Sequence, residues 1–582
     1  MPSHRPTPDK AALTLIRIGI ARKPFSMDSQ SRADQTCAAC KKLKRKCDKL
    51  LPQCALCQRT GRNCEYTTLS PTPTAGDLSF LRERLADLEQ RLATAPLTTQ
   101  QAATSSSGPT VSRNDGGGDQ GSGMREFPTA LFLDIDCYKW TRMQMPLPSA
   151  EIPEDVLSLL TQDNIIVETS EEYFNTIHTW MPVISKKRLN LGIAVHHRGP
   201  DSAMLFLAMR LITSPPGIDN ASHLYKLSKS FLANLEADGC ASYLYLQALL
   251  LVALYEYSHA IYPAAWMTVG ACARYVELLG LSCSMARGME LTPTTTWTEV
   301  EERRRLWWGV FILDRVVSIG NRKNFCLSGP PEDGLFPVDD VAWNEKDHGD
   351  VSRAQPRAIS SNDDRNYPPF AQLCQAALLV ESAIRTTWSV EMDRSAVSNC
   401  PALMDQIYRF MSVVDAEGTR NGQLDFSWFG PRAICRSAIF VVLDLFTCPE
   451  KRSSQPGYVM EPGAKNAEEI SLQHRAMRLT KELADQIHSL VLMLAPFLDN
   501  DEASGNHYSQ ISPQLLDVVY WALATYYWFA AEEGDGVYRY RITNLRQFLE
   551  KIGTRWRLGH EYLLLARYHD SSMRPDFLSY MT

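Results

Sequence analysis

Six cysteines fall within a short stretch of a 582-residue chain, spaced Cys37-x2-Cys40-x6-Cys47-x6-Cys54-x2-Cys57-x6-Cys64. A shift of 17 residues lays Cys37, Cys40 and Cys47 onto Cys54, Cys57 and Cys64. A stretch this short cannot bury an apolar core, so what it can fold into is set by what its sulfurs bind. Each Cys-x-x-Cys pair can chelate one tetrahedral zinc from a tight turn, and the third thiolate follows within a helical turn or two. One zinc with four thiolates leaves two cysteines over. Two zincs need eight ligand positions from six sulfurs, so two thiolates must bridge, and the repeat nominates equivalent residues, Cys37 with Cys54. No histidine competes, since none lies between His4 and His178.

The other nine cysteines (137, 240, 272, 283, 326, 374, 400, 435 and 448) are scattered singly. One metal cluster plus isolated core thiols points to an intracellular protein and away from a disulfide scaffold. Ala11 to Ile20 is apolar but contains Arg17 and is followed by Arg22 and Lys23, which argues against a secretory leader. The longest apolar stretches, Gly239 to Tyr255 and Tyr257 to Ala273, fall short of the ~20 residues that span a bilayer, so no membrane is expected.

Charge divides the chain in the same place. Lys41, Lys42, Lys44, Arg45 and Lys46 surround only Leu43 between two of the cysteines. Residues 31–65 hold nine basic and three acidic side chains, +6, so the remainder carries −12 of a total of −6. Duplex phosphate is the natural counter-charge for the small module, and the acidic remainder discourages the rest of the chain from that task. The basic run also suits a nuclear import signal.

Beyond the cluster, residues 67–76 form a turn-rich break with Pro71 and Pro73. Leu78, Leu81, Leu85, Leu88 and Leu92 then recur at steps of 3, 4, 3 and 4, an a/d seam over residues 77–93. Asp77 with Arg82, and Arg84 with Glu89, place opposite charges at g and e, which favours a parallel homodimer. Residues 94–124 hold six Gly, five Ser and five Thr and read as a tether. From 125 to 582 the texture is helical. Trp266, Val269, Ala273, Val276 and Leu279 share a face, as do Leu306, Val310, Leu313 and Val317, and Tyr243 to Tyr255 is apolar all round. Further runs are expected at 370–385, 433–446, 473–494, 515–531 and 542–568. Residues 344–369 and 450–467 read as surface insertions. The fold class is therefore mainly α: a small cluster of six cysteines around two zincs, a short coiled coil, a flexible linker and a large all-α domain, with residues 1–30 disordered.

The cysteine pattern, with Asp48 after the third cysteine and Pro52 two before the fourth, resembles the fungal binuclear zinc-cluster transcription factors. That resemblance implies a domain over 31–66 with two Zn2+ per chain, in which Lys44 reads bases of a CGG triplet in double-stranded DNA. Lys41, Lys42, Arg45, Lys46 and Lys49 would then contact phosphates or the groove edge. Leu43 stands where many members carry another basic residue. The helical part resembles the family's regulatory domain at Tyr173-Phe174, His178, Trp180 and Pro182, at Tyr262-Pro263-Ala264-Ala265-Trp266, and at Glu301-Glu302-Arg303-Arg304-Arg305-Leu306-Trp307-Trp308. Phe311, Leu313-Asp314-Arg315, Ser318, Gly320 and Pro337-Val338-Asp339-Asp340 continue the match, whereas Arg322-Lys323-Asn324-Phe325 departs from a common Gly-Arg-Pro turn. The resemblance implies a nuclear regulator of RNA polymerase II genes that recruits transcription machinery, with a biosynthetic gene cluster as its target.

Blander readings stand beside these. Protein-binding zinc modules of the ubiquitin-ligase or LIM sort need eight ligands for two metals and no cationic run between them. Arg303 to Arg305 read as the solvated face of a helix, Asp314 and Arg315 as buried ion-pair partners, and the isolated cysteines as small core residues. No HExxH, GxSxG or GxxxxGK[ST] is present, and nothing else in the spacing demands acid/base work, so an enzyme is not expected. The alternative is a zinc-containing helical regulator that binds a small-molecule effector or a protein, with DNA contact secondary.

Overall fold

Helices account for nearly all the regular structure, as the apolar spacing requires. The computed structural model describes residues 36–42, 45–65, 127–141, 143, 145–162, 164–190, 199–214, 218–284, 291, 296–320, 324–345, 355–360, 367–392, 394–419, 425–447, 467–499, 507–534 and 536–569. They fall into two units, one within Met1–Asp119 and one within Gln120–Thr582. Among the described residues there is no strand, only isolated bridges Ser284 to Gly334 and Leu335 to Ala358. No described helix is long and apolar enough to cross a membrane. The N-terminal 1–30, the leucine seam Leu78 to Leu92, the 94–124 tether, Cys448 and the 450–466 insertion lie outside the described residues.

The larger unit is a layered helical body. Helix Tyr243–Ser258 has no polar face, so it can only be interior, and every residue from Tyr245 to Ser258 is buried. Ser242 starts it by accepting the Tyr245 N–H at 3.1 Å. It packs against Pro200–Thr213, Ala264–Leu279 and Trp297–Ile319. In Ala264–Leu279, Val269, Ala273, Val276 and Leu279 face inward as their spacing requires, and Trp266 is half-buried. Gly309 allows the Trp297–Ile319 helix to approach closely, because a Cβ there would lie 2.8 Å from Val183 Cγ1 and 2.9 Å from Leu250 Cδ2. A second layer joins Pro369–Met392, Cys400–Gly418, Phe429–Thr447, Ala467–Asp499 and Gln514–Glu533.

Three expectations are corrected. Arg303, Arg304 and Arg305 are not solvated: all three are buried. Arg303 pairs with Glu299 at 2.8 Å, and Glu301 takes both Arg304 and the Arg305 Nε at 3.0 Å. Glu301 also accepts the Val338 N–H at 2.9 Å, while Arg305 donates to the Val338 carbonyl at 2.6 Å and pairs with Asp340. Glu302 accepts the Ser185 N–H at 2.8 Å and the Gln247 amide at 3.0 Å, and it pairs with Arg188. Glu299 and Glu301 thus meet the three arginines within the helix, while Glu301, Glu302 and Arg305 also bind chain segments more than thirty residues away, which a helical-wheel reading cannot see. The expected 542–568 run is in fact two helices, Arg539–Gly553 and Leu558–Ala566. They cross so tightly that a Cβ on Gly559 would sit 2.7 Å from the Leu549 carbonyl oxygen. Of the isolated cysteines, Cys240, Cys272, Cys283, Cys374, Cys400 and Cys435 are buried, but Cys326 is exposed and Cys137 half-buried.

Asp314 and Arg315 do form the expected buried pair, at 2.6 Å. Arg315 also reaches Glu381 at 2.8 Å and stacks on Phe311 and Phe325, 3.9 and 4.3 Å from their ring centres. Phe325 belongs to the segment that departs from the family pattern, and here it caps the buried guanidinium. His178 lies against Phe174 and Trp343, and burial together with the nearby Arg305 pushes its imidazole down to about 3, so it stays neutral.

Candidate metal centre and nucleic-acid interface

The 17-residue sequence repeat reappears as a structural repeat. Helix Ala38–Lys42 follows Cys37, and helix Ala55–Arg59 follows Cys54. Each is a single turn, too short to persist without something tying its ends. The Asp48 carboxylate accepts the Ala55 N–H at 3.1 Å, which fixes the loop between the halves at the start of the second helix. The Ala38 N–H to Glu65 carbonyl bond, 2.8 Å, closes the module on itself.

Sulfur takes the place of a hydrophobic core. Cys37, Cys40, Cys54 and Cys57 are at most 2% exposed, and their four sulfurs lie within 4.8 Å of one another. Cys37 Sγ is 3.7 Å from Cys54 Sγ, 3.6 Å from Cys57 Sγ and 3.9 Å from Cys47 Sγ. Cys40 Sγ is 3.7 Å from Cys54 Sγ and 3.9 Å from Cys57 Sγ. A tetrahedron with Zn–S bonds of ~2.3 Å has edges of about 3.8 Å, so these separations fit thiolates sharing a zinc. They are far too long for disulfides.

Two of the thiols, Cys54 and Cys64, receive backbone N–H groups that favour the ionised form. Burial raises Cys54, but the Cys57 N–H donated to its sulfur at 3.4 Å, together with the Cys57, Cys40 and Cys37 thiols, holds it below the ordinary thiol value. Cys64 is likewise lowered against its burial, by the Cys54 N–H at 3.2 Å together with the Cys37, Cys54 and Cys57 thiols. Burial pushes the Cys40 thiol up to about 12, and Cys57 rises for the same reason. A cation among these crowded sulfurs would favour the thiolate form of all of them.

Of the six expected ligands, Cys37, Cys40, Cys54 and Cys57 bring their sulfurs together, Cys47 Sγ lies 3.9 Å from Cys37 Sγ, and Cys64 Sγ accepts the Cys54 N–H at 3.2 Å. Lys41, Lys42, Arg45 and Lys46 are exposed beside the nest, with Lys49 half-buried on its rim. Lys44 and Leu43 lie outside the described residues, as does the whole leucine seam. Asp48 was named only as part of a pattern; its clamp on the second helix is the function that spacing alone did not reveal.

Comparison with known proteins agrees with this geometry. Residues 35–73 match the fungal Zn(2)-Cys(6) binuclear cluster domain, and residues 171–413 match the fungal specific transcription factor domain. Transcription factor BOA15 of Botryotinia fuckeliana (strain B05.10) is 37% identical over 182 residues, 30% of this chain and 98% of that protein. The depudecin biosynthesis cluster-specific transcription activator DEP6 of Fusarium langsethiae is 25% identical over 62% of this chain and 68% of its own. The azaphilone cluster-specific transcription factor azaR of Aspergillus niger is 24% identical over 52% of this chain and 61% of its own. The cluster domain is binuclear, and the cysteine cluster is able to hold metal. The chain belongs to the fungal Zn(2)-Cys(6) zinc-cluster transcription factors and is a zinc-dependent, DNA-binding regulator of transcription.

Proposed function

We propose that Cys37, Cys40, Cys47 and Cys54 hold one zinc and Cys37, Cys54, Cys57 and Cys64 the other, with Cys37 and Cys54 bridging. The observation carrying this reading is the position of Cys37, whose sulfur has Cys47 and Cys57, one from each set, within 3.9 Å. When bound, the ions lock the two helices and hold the basic ridge rigid against the major groove. Lys44 reads a base edge of a CGG-type half-site, while Lys41, Lys42, Arg45, Lys46 and Lys49 bind phosphates or line the groove. Residues 77–93 pair two copies through Leu78, Leu81, Leu85, Leu88 and Leu92, and the preceding linker sets half-site spacing. The regulator acts in the nucleus, its helical unit recruits transcription machinery, and its target is a biosynthetic gene cluster. The names of DEP6 and azaR, both cluster-specific, support that target.

Selection of bound oligonucleotides from a random pool by the full chain tests this reading. The expected yield is two CGG-like triplets at fixed spacing; single triplets or no enrichment would overturn it. In the same assay Lys44→Ala costs about 1–3 kcal/mol and relaxes one base pair, whereas Lys41→Ala weakens all sequences alike.

A further inference from the structure

Helices Phe429–Thr447, Ala467–Asp499 and Gln514–Glu533, with the turn Arg567–His569, enclose a cavity of about 330 Å3. It lies wholly beyond residue 413, where the regulatory-domain match ends. Its walls are largely aromatic: Phe440 and Trp521 are stacked with ring centres 5.9 Å apart, and Tyr520, Tyr527, Trp528 and His569 also line it. Thr447 and Thr525 add hydroxyls, and His569 is hydrogen-bonded to the Tyr520 hydroxyl at 3.0 Å. Asp444 and Glu532 contribute carboxylates, and no lysine or arginine is among the described residues that line it. Thr480 also lines it, and that side chain is 7% exposed with a hydroxyl that has no hydrogen-bond partner. A buried hydroxyl without a partner is costly unless something supplies one.

We infer that this cavity binds a flat aromatic small molecule carrying a positive charge and an N–H or O–H group. The ring fills the aromatic slot, the charge is met by ring faces and by Asp444 and Glu532, and the polar hydrogen reaches Thr480. The volume lies at the lower end of the range for drug-sized ligands. The two carboxylates, with no lysine or arginine among the described lining residues, select against carboxylates and sulfonates.

Proflavine, a planar cation with amino groups, is the probe, and anthracene-9-carboxylate is its anionic counterpart of similar size. Fluorescence anisotropy on the full zinc-loaded chain, without DNA, should show one saturable proflavine site and at least tenfold weaker binding of the carboxylate. Thr480→Val should weaken proflavine about fivefold, as loss of one hydrogen bond implies. Asp444→Asn should also weaken it and narrow the gap between the two dyes. Ala524→Trp, which fills the slot from the 514–533 helix, should abolish binding; if that variant melts early, the first two substitutions decide. Equal affinity for the two dyes, proflavine binding that survives all three substitutions, or no saturable site would overturn the assignment. Loss of DNA binding with proflavine binding intact would count against the DNA-reading proposal alone.

Discussion

The zinc module and the helical unit solve the same problem with different materials. Among the described residues of 37–64 the only side chains approaching full burial are cysteines, and two five-residue helices are held by sulfur and by one carboxylate clamp. In the larger unit a continuous apolar core does the holding, and a buried chain of Glu and Arg around Trp297–Ile319 ties distant segments to one helix. Stability in the first is therefore metal affinity, and in the second it is area buried plus charges that must stay paired.

The largest expected effect separates the two. A structural zinc site contributes on the order of 10 kcal/mol or more, so chelation should unfold the cysteine module and abolish DNA binding. The thermal transition of the helical unit should not move. DNA affinity surviving in a chelated sample would break the distinction, and so would a helical transition that falls with the zinc.

The opposite dissection uses Glu301→Ala. It leaves Arg304 and Arg305 buried without their shared carboxylate and removes the acceptor for the Val338 N–H, which should cost about 3–5 kcal/mol. Zinc content should be unchanged. A melting temperature near that of the parent chain would mean the network is relaxed by water and does not tie the segments.

A smaller, pH-dependent effect sharpens the account of the helical core. Asp517 is buried and accepts hydrogen bonds from the Tyr257 hydroxyl at 2.9 Å and from the Tyr562 hydroxyl. Burial raises its carboxyl to about 6 in spite of both bonds. A pKa raised in the folded state favours folding while the group is protonated. That contribution is complete below the ordinary carboxyl range and is lost as pH rises through about 6. Its size is at most about 3 kcal/mol. Asp517→Asn should flatten the fall in melting temperature between pH 4 and pH 7, and an unaltered slope would place the titration elsewhere.

What could be read from the sequence follows from the range of the interactions. The metal nest was legible because its ligands sit within one short segment at spacings that chemistry restricts, and Tyr243 to Tyr255 was legible as interior because a helix apolar on nearly every side has only one place to go. The Arg303 to Arg305 run was misread because the segments that cover it, including Pro182, Val338 and Asp340 around Arg305, are distant in the chain, and in-helix pairs with Glu299 and Glu301 look the same on a solvated face. The break after Gly553 was missed because it depends on how closely two helices cross and leaves no mark in periodicity. Thr480 and Trp521 lie in ordinary helical runs, and only packing brings them to one cavity.

The most direct test of the central claim is the zinc count of the purified full chain, by elemental analysis against protein concentration. Four sulfurs, of Cys37, Cys40, Cys54 and Cys57, could by their closeness hold a single ion, with Cys47 and Cys64 left outside. Six thiolates around a bridged pair predict two zinc ions per chain, and Cys37→Ala should disrupt both sites at once. One ion per chain, or a Cys47→Ala variant that keeps the parent's full complement, would contradict the account.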